Sequence, residues 1–240
     1  NTQLSKTSDF GSGCSADGNL IIEESIFDKL VAQLQKEGGY LASPAEKELL
    51  RKAMWDDERH RTSSTVAIAP QQLAKIAGFE IPIDRKFIMV HGDGIGKEHH
   101  YSGEKLTTLL ALYKYKGFDQ ALNMMRAIYE VGGKGHSCGI YSFDADHVHR
   151  LGLAAPVSRI MVRQPQSKAN AGAFNNGMPM TSSLGCGTWG GNVISENVHL
   201  KHYLNTTWVS VPIKEDKPSD EELFGSFYDP AMEAEVETIT

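Results

Sequence analysis

A chain of 240 residues can bury a full interior as one large domain or two small ones, and 40% hydrophobic with 22% charged residues is an ordinary globular mix. The net charge of −6 offers no basic footprint for nucleic acid, and the acidity gathers after Pro212, as in a solvated tail. Three widely spaced cysteines argue for a reducing compartment, and neither a ~20-residue apolar span nor a charged-then-apolar leader is present, so the chain reads as cytoplasmic with no membrane partner.

Residues 5–22 run polar and glycine-broken to Cys14, then apolar through Leu20, Ile21 and Ile22. This pattern places a thiol on a kinked turn ahead of a buried strand. Gly11 and Gly13 are expected to take positive φ or to let backbone approach closely. Asp9 and Asp17 flank the thiol, and free N–H groups on such a turn can hold an oxyanion.

Beyond the strand, Ile26, Phe27, Leu30, Val31 and Leu34 recur at helical spacing, closed by Gly38-Gly39. Ser43-Pro44-Ala45-Glu46 is a capping box with Pro at the first helical position, opening a helix to about Asp57. Pro70 starts another through Ala77, closed by Gly78. Strands are predicted at 86–91 and 109–114, a helix at 119–131 stopped by Gly132-Gly133, a strand at 139–142, a helix at 144–151 and a strand at 158–163. The alternation implies an α/β layered protein with parallel strands. Residues 164–200 are dense in Gly, Asn and Ser, too long for a plain connection and therefore functional or internally structured. Residues 208–213 alternate as a late strand with an edge to cover.

Several groups have plainer readings. Gly92-Asp93-Gly94-Ile95-Gly96-Lys97 matches neither the dinucleotide fingerprint nor the P-loop and reads as a mobile turn. Glu98, His99 and His100 read as surface loop, because adjacent side chains rarely point at one ion. Asn175-Asn176-Gly177 is a turn signal. Arg159, Arg163 and Lys168 would suit an anionic substrate tail, or are solvated strand ends. Cys186 reads as structural.

Ser5-Lys6-Thr7 followed by Asp9, Gly11 and Cys14 resembles the nucleophile segment of the aldehyde dehydrogenase superfamily, closest to its coenzyme A-acylating branch. In the same order follow Gly103-Glu104-Lys105-Leu106, Gly132-Gly133-Lys134-Gly135-His136, the block Leu184-Gly185-Cys186-Gly187-Thr188-Trp189-Gly190-Gly191-Asn192, Ser195-Glu196-Asn197 and His202-Tyr203-Leu204-Asn205. The resemblance spans residues 1–213. Phe10 departs from the family's Asn, Asp17 from its Glu, and Thr107-Thr108 from its Ser-Pro.

The resemblance implies a three-layer α/β catalytic domain, with a mostly parallel sheet between helices on both faces and a C-terminal oligomerisation strand. It divides the chain into a thiol domain at 1–202, an oligomerisation strand at 203–213 joining a neighbouring subunit's sheet, and an acidic tail at 214–240. A homodimer or larger assembly follows. Cys14 becomes the nucleophile, forming a thiohemiacetal with a small aldehyde and then a thioester that coenzyme A accepts. NAD or NADP takes the hydride, and no metal is needed. His136 is expected beside the acyl thioester or coenzyme A, Glu104 on the nicotinamide ribose, and Thr188 and Trp189 at the aldehyde pocket. Small anionic aldehydes such as sulfoacetaldehyde or succinate semialdehyde are the expected substrates. The dinucleotide-binding domain and the second oxyanion donor would lie upstream, so the chain alone is expected to fold but barely turn over. The alternatives are a non-acylating aldehyde dehydrogenase, a cysteine thioester hydrolase using Cys14 with His136, and a catalytically silent assembly domain.

Overall fold

The computed structural model describes residues 1–229. It divides into two units, Asn1–Tyr203 and Leu204–Thr240.

In the first unit, helix α1 (Thr2–Thr7) leads through the nucleophile turn to strand β1 (Asn19–Glu23). Helix α2 (Phe27–Lys36) follows, then strand β2 (Gly39–Leu41) and helix α3 (Pro44–Met54). Ser43 and Glu46 close the expected capping box at the start of α3. Helix α4 (Pro70–Ala77) begins on its proline and ends at Gly78, whose φ of 90° is left-handed. Strands β3 (Phe87–His91) and β4 (Leu109–Tyr115) come next, then helix α5 (Phe118–Gly132), strand β5 (Cys138–Ile140), helix α6 (Ala145–Ala154), strand β6 (Ile160–Val162) and the short helix α7 (Gln166–Ala169).

Four strands form a parallel sheet in the order β1-β4-β3-β2, and β5 with β6 form a second parallel pair. Strands β3 and β4 are apolar at nearly every position because both faces are covered. Ile88, Val90, Leu109, Ala111 and Tyr113 pack with Leu50 and Met54 of α3 and Leu73 and Ala74 of α4. The intervening Phe87, Met89, Leu110 and Leu112 pack with Phe27, Val31 and Leu34 of α2. Successive side chains leave a strand on opposite faces, so one sequence run serves two helical layers. A third cluster joins Leu122 and Met125 of α5 and Leu151 of α6 to Ile21, Cys138, Ile140 and Ile160. The arrangement is the three-layer α/β sandwich.

Two sequence expectations are corrected, and two elements gave no signal in the sequence. Helix α1 has no apolar periodicity to announce it; its buried residues are Ser5 and Lys6. Strand β2 has three residues, too few to register as a pattern. Helix α3 stops at Met54 rather than near Asp57, because Trp55 turns extended and bridges to Arg61. The 92–97 loop is fastened rather than loose: Ser102 Oγ donates to the Gly96 carbonyl at 3.0 Å, Gly96 N–H donates back to it at 3.3 Å, and Lys47 pairs with Asp93 at 2.5 Å. Within residues 164–200 the chain holds α7 and two single 3₁₀ turns, Thr188–Gly190 and Leu200–His202.

In the second unit, residues 204–219 form neither helix nor strand. Trp208, Val209, Val211 and Ile213 are exposed, so the strand expected at 208–213 is not formed within the chain. A strand exists only when a second backbone pairs with its N–H and C=O groups, and the described residues offer the segment none. Helix α8 (Asp220–Phe224) is capped by Ser219 and Glu222. The apolar Leu223, Phe224 and Phe227 of the tail are exposed. The rest of the expected acidic tail, 230–240, lies outside the described residues.

Candidate active site

The nucleophile turn is built from unusual backbone. Asp9, Phe10 and Gly11 have φ of 48°, 50° and 69°, three left-handed residues in succession. A Cβ on Gly11 would lie 2.5 Å from the Thr107 carbonyl oxygen and 2.9 Å from that of Lys6, so only glycine fits. Gly13 has open space around it and no left-handed φ, so the expectation holds for Gly11 alone. Ser12 Oγ donates to the Asp9 carboxylate at 3.0 Å and to its carbonyl at 2.7 Å, closing the turn. The next turn leaves Cys14 exposed.

Polar groups are buried beneath it. Ser5 Oγ accepts from Ser167 N–H at 3.1 Å and from Asp17 N–H at 3.4 Å, tying α1 to α7 and to the chain after the thiol. Burial pushes the Asp17 carboxyl up to about 6, against hydrogen bonds from Ser5 and Gln166 and the charge of Lys6. Its Oδ2 has no hydrogen-bond partner. Burial likewise pulls the Lys6 amine down to about 8, opposed by the charges of Asp17 and Glu104.

His136 reaches the thiol from the other side. The turn at Gly135 (φ 104°) carries it toward β5. His136 Nε2 lies 3.0 Å from Cys14 Sγ, and its Nδ1 lies 2.8 Å from Ser137 Oγ. The Ser137 carbonyl accepts from Tyr129 Oη of α5 at 2.7 Å. Burial and then the nearby Arg159 charge hold the imidazole below the ordinary histidine range. A neutral ring can donate Nδ1–H to Ser137 and present Nε2 as an acceptor to the thiol.

Cys14, His136, Glu104 and Lys6 line one cleft of about 1060 Å³. Glu104 is exposed on a loop that is firmly held. Lys105 is buried with Nζ donating to Asn19 Oδ1 (3.0 Å), the Tyr101 carbonyl (2.6 Å) and the Gly103 carbonyl (2.7 Å). Arg61 then donates twice to the Lys105 carbonyl, at 3.2 and 2.8 Å. These two cations had no signal in the sequence beyond their charge, because their acceptors are mostly main-chain oxygens gathered by folding.

The glycine-rich block packs against the His136 turn. A Cβ on Gly135 would lie 2.6 Å from the Cys186 carbonyl oxygen, and one on Gly190 would lie 2.6 Å from Cys186 Cβ. Thr188 and Trp189 are exposed on the 3₁₀ turn and do not line the cleft. Cys186 is half-buried and its N–H donates to Asn192 Oδ1 at 3.1 Å. Cys138 is half-buried, and burial raises its thiol to about 12. Arg163 is exposed, donating to the Ser142 carbonyl at 2.6 Å with its guanidinium 4.8 Å from the centre of the Phe143 ring. Lys168 is exposed. Asn176 serves its turn, its Oδ1 accepting from Ala173 and Met178 N–H at 3.0 and 3.2 Å.

No family model matches the chain. Among solved structures, an acetylating aldehyde dehydrogenase from Geobacillus thermoglucosidasius superposes with a TM-score of 0.84 at 33% identity, covering 91% of this chain and 48% of that one. A sulfoacetaldehyde dehydrogenase from an Acholeplasma species is 37% identical over 227 residues, 93% of this chain and 47% of the relative. The acetylating succinate-semialdehyde dehydrogenase of Clostridium kluyveri is 34% identical over 219 residues, 90% of this chain and 48% of that protein. The chain belongs to the aldehyde dehydrogenase superfamily, in its coenzyme A-acylating branch. It spans about half the length of the curated relatives it matches. In this aldehyde dehydrogenase domain the thiol, the imidazole and the Glu104 carboxylate share one cleft. Among the described residues, no helix is long and apolar enough to cross a membrane.

Proposed function

We propose that this chain is the thiol-bearing domain of an acylating aldehyde dehydrogenase, completed by a dinucleotide-binding domain. The whole enzyme converts a small anionic aldehyde, NAD or NADP and coenzyme A into an acyl-CoA and the reduced dinucleotide. The observation that carries this reading is the 3.0 Å approach of Cys14 Sγ and His136 Nε2 at the surface of a cleft that Glu104 also lines. The anionic class is supported by the names of the relatives.

His136 Nε2 takes the Cys14 proton and passes it to solvent. Sγ attacks the aldehyde carbon, a C–S bond forms, and the carbonyl π pair moves onto oxygen as the thiohemiacetal. The Cys14 N–H is assigned to that oxygen. Glu104 suits a ribose because two carboxylate oxygens accept two hydroxyl hydrogens. A dinucleotide bound there supplies the two-electron acceptor that turns the thiohemiacetal into a thioester. His136, again neutral, then removes the coenzyme A thiol proton. The coenzyme sulfur attacks the thioester carbon, the bond to Cys14 breaks, and Sγ leaves with the electron pair. Thr188 and Trp189 are assigned to the outer rim of the acyl site, and residues 203–213 to pairing with a second subunit. A cytoplasmic setting follows from the three free thiols.

The test joins the chain to a dinucleotide-binding domain and supplies sulfoacetaldehyde, succinate semialdehyde or acetaldehyde with each dinucleotide. Acyl-CoA formation that needs coenzyme A, and prefers the anionic aldehydes, is the expected result. Free acid formed without coenzyme A would indicate the non-acylating enzyme, and thioester cleavage without dinucleotide a hydrolase. Neither product, with oligomeric mass retained in Cys14→Ser, would leave an assembly domain.

A further inference from the structure

Arg159 stands just ahead of β6 and is 5% exposed. Its Nη2 donates to the His136 carbonyl at 3.1 Å and its Nη1 to the Gly185 carbonyl at 2.8 Å, while its Nε is buried without a partner. Among the described residues it forms no ion pair with a carboxylate. Buried guanidinium groups ordinarily have an anionic partner, because the cost of leaving water is otherwise uncompensated. Burial holds the Arg159 guanidinium below its usual range, and the groups that oppose this are two sulfurs, Cys186 first and then Cys14. The same charge bears on the His136 ring.

We propose that Arg159 is a positioning residue for the Cys14–His136 pair, fastening the His136 main chain to the glycine-rich block and supplying a fixed positive charge to the sulfur and the ring. The clamp acts on geometry. It joins residues 136 and 185 through one planar fork, so the imidazole approaches Cys14 from a fixed direction. The charge acts on protonation. The groups facing the ring are Cys14 from the nucleophile turn, Arg159 from the start of β6 and Ser137 from its own strand, with Cys138 and Tyr129 behind it. Of these, Arg159 alone carries a permanent charge. A neighbouring cation disfavours imidazolium, which agrees with the downward displacement of His136 and keeps Nε2 available to accept a thiol proton near neutral pH. The sequence reading of Arg159 as a contact for an anionic substrate tail is thereby replaced, since both polar contacts of the group are main-chain carbonyls.

The proposal rests on Cys14 as nucleophile, but its test reads the ring itself. The His136 Cε1–H resonance of the full chain is titrated by NMR in wild type, Arg159→Gln and Arg159→Lys. Wild type should titrate below the ordinary value of about 6.5. Arg159→Gln should titrate higher than wild type, and Arg159→Lys, which keeps the charge but not the fork, should stay near wild type. Equal midpoints in wild type and Arg159→Gln would overturn the proposal. If Arg159→Gln does not fold, Arg159→Met, which keeps much of the bulk without the charge, takes its place, and a midpoint equal to wild type refutes the proposal while a higher one supports it. Acyl-CoA formation is measured separately in the two-domain enzyme. A normal displacement without product sinks only the dehydrogenase reading, and product without displacement sinks only the role of Arg159.

Discussion

Cys14 Sγ and His136 Nε2 lie 3.0 Å apart although 122 positions separate them in the chain. The turn that carries the thiol and the turn that carries the imidazole each depend on a glycine of positive φ, Gly11 at 69° and Gly135 at 104°. The pair divides the three cysteines sharply. Iodoacetamide should label Cys14 first, because it alone is exposed and hydrogen-bonded to a base, while the Cys138 thiol is raised to about 12. Peptide mass spectrometry after brief alkylation checks this, and equal labelling of Cys14, Cys138 and Cys186 would contradict it.

Replacing His136 by Asn should slow both half-reactions, since the ring takes the Cys14 proton first and the coenzyme A proton later. Transfer of the acyl group to coenzyme A should slow by about 10²–10⁴-fold, the usual worth of a general base. The burst of reduced dinucleotide in the two-domain enzyme should slow as well, visible by stopped-flow absorbance. An unchanged steady-state rate would remove His136 from the mechanism.

Gly11 and Gly13 make a matched pair of substitutions. Gly11→Ala places a methyl 2.5 Å from the Thr107 carbonyl oxygen in a left-handed conformation, so it should cost at least about 2 kcal/mol of stability. Gly13→Ala meets nothing within 4 Å and should change the urea midpoint little. Similar midpoints for both variants would mean the turn is not held as described.

Asp17 ties stability to pH. Its carboxyl titrates at about 6 in the folded protein against 3.8 when exposed, chiefly from burial. Between those values the folded state holds the extra proton, so stability present below 3.8 is lost as pH rises through about 6. The loss amounts to about 3 kcal/mol from a shift of this size. Asp17→Asn stays neutral, so it should match wild type at about pH 4 and exceed it by up to about 3 kcal/mol at about pH 8. Urea unfolding at both pH values measures the gap, and a gap that closes with rising pH would refute the assignment.

Glu104→Gln should raise KM for the dinucleotide in the two-domain enzyme, since one of two accepting oxygens becomes a donor. Alkylation of Cys14 should be unchanged, because the loop is held by Lys105 and Arg61 rather than by the Glu104 side chain. A slowed alkylation with unaltered KM would place Glu104 in the support of the thiol instead.

Much of this was written locally. The Ser43–Glu46 capping box, the proline starts of α3 and α4, the Gly78 stop and the apolar runs of β3 and β4 depend on neighbours a few residues apart, so periodicity and turn chemistry sufficed for them. The motif order likewise singled out Cys14, Glu104 and His136 as residues of interest. What the tertiary structure decided is which groups meet. Arg159 reads in sequence as one more strand-end cation, and becomes a clamp only when the carbonyls of His136 and Gly185 come within reach. Lys6 and Lys105 are buried, which charge and spacing alone do not announce, and each is influenced by a distant group, Lys6 by Asp17 and Glu104 and Lys105 by Asn19. The segment at 208–213 has no partner backbone among the described residues, and no pattern of alternation can supply one. Side-chain type and spacing fix local conformation, whereas burial, charge coupling and the meeting of thiol with imidazole are properties of contacts that arise only when distant segments pack.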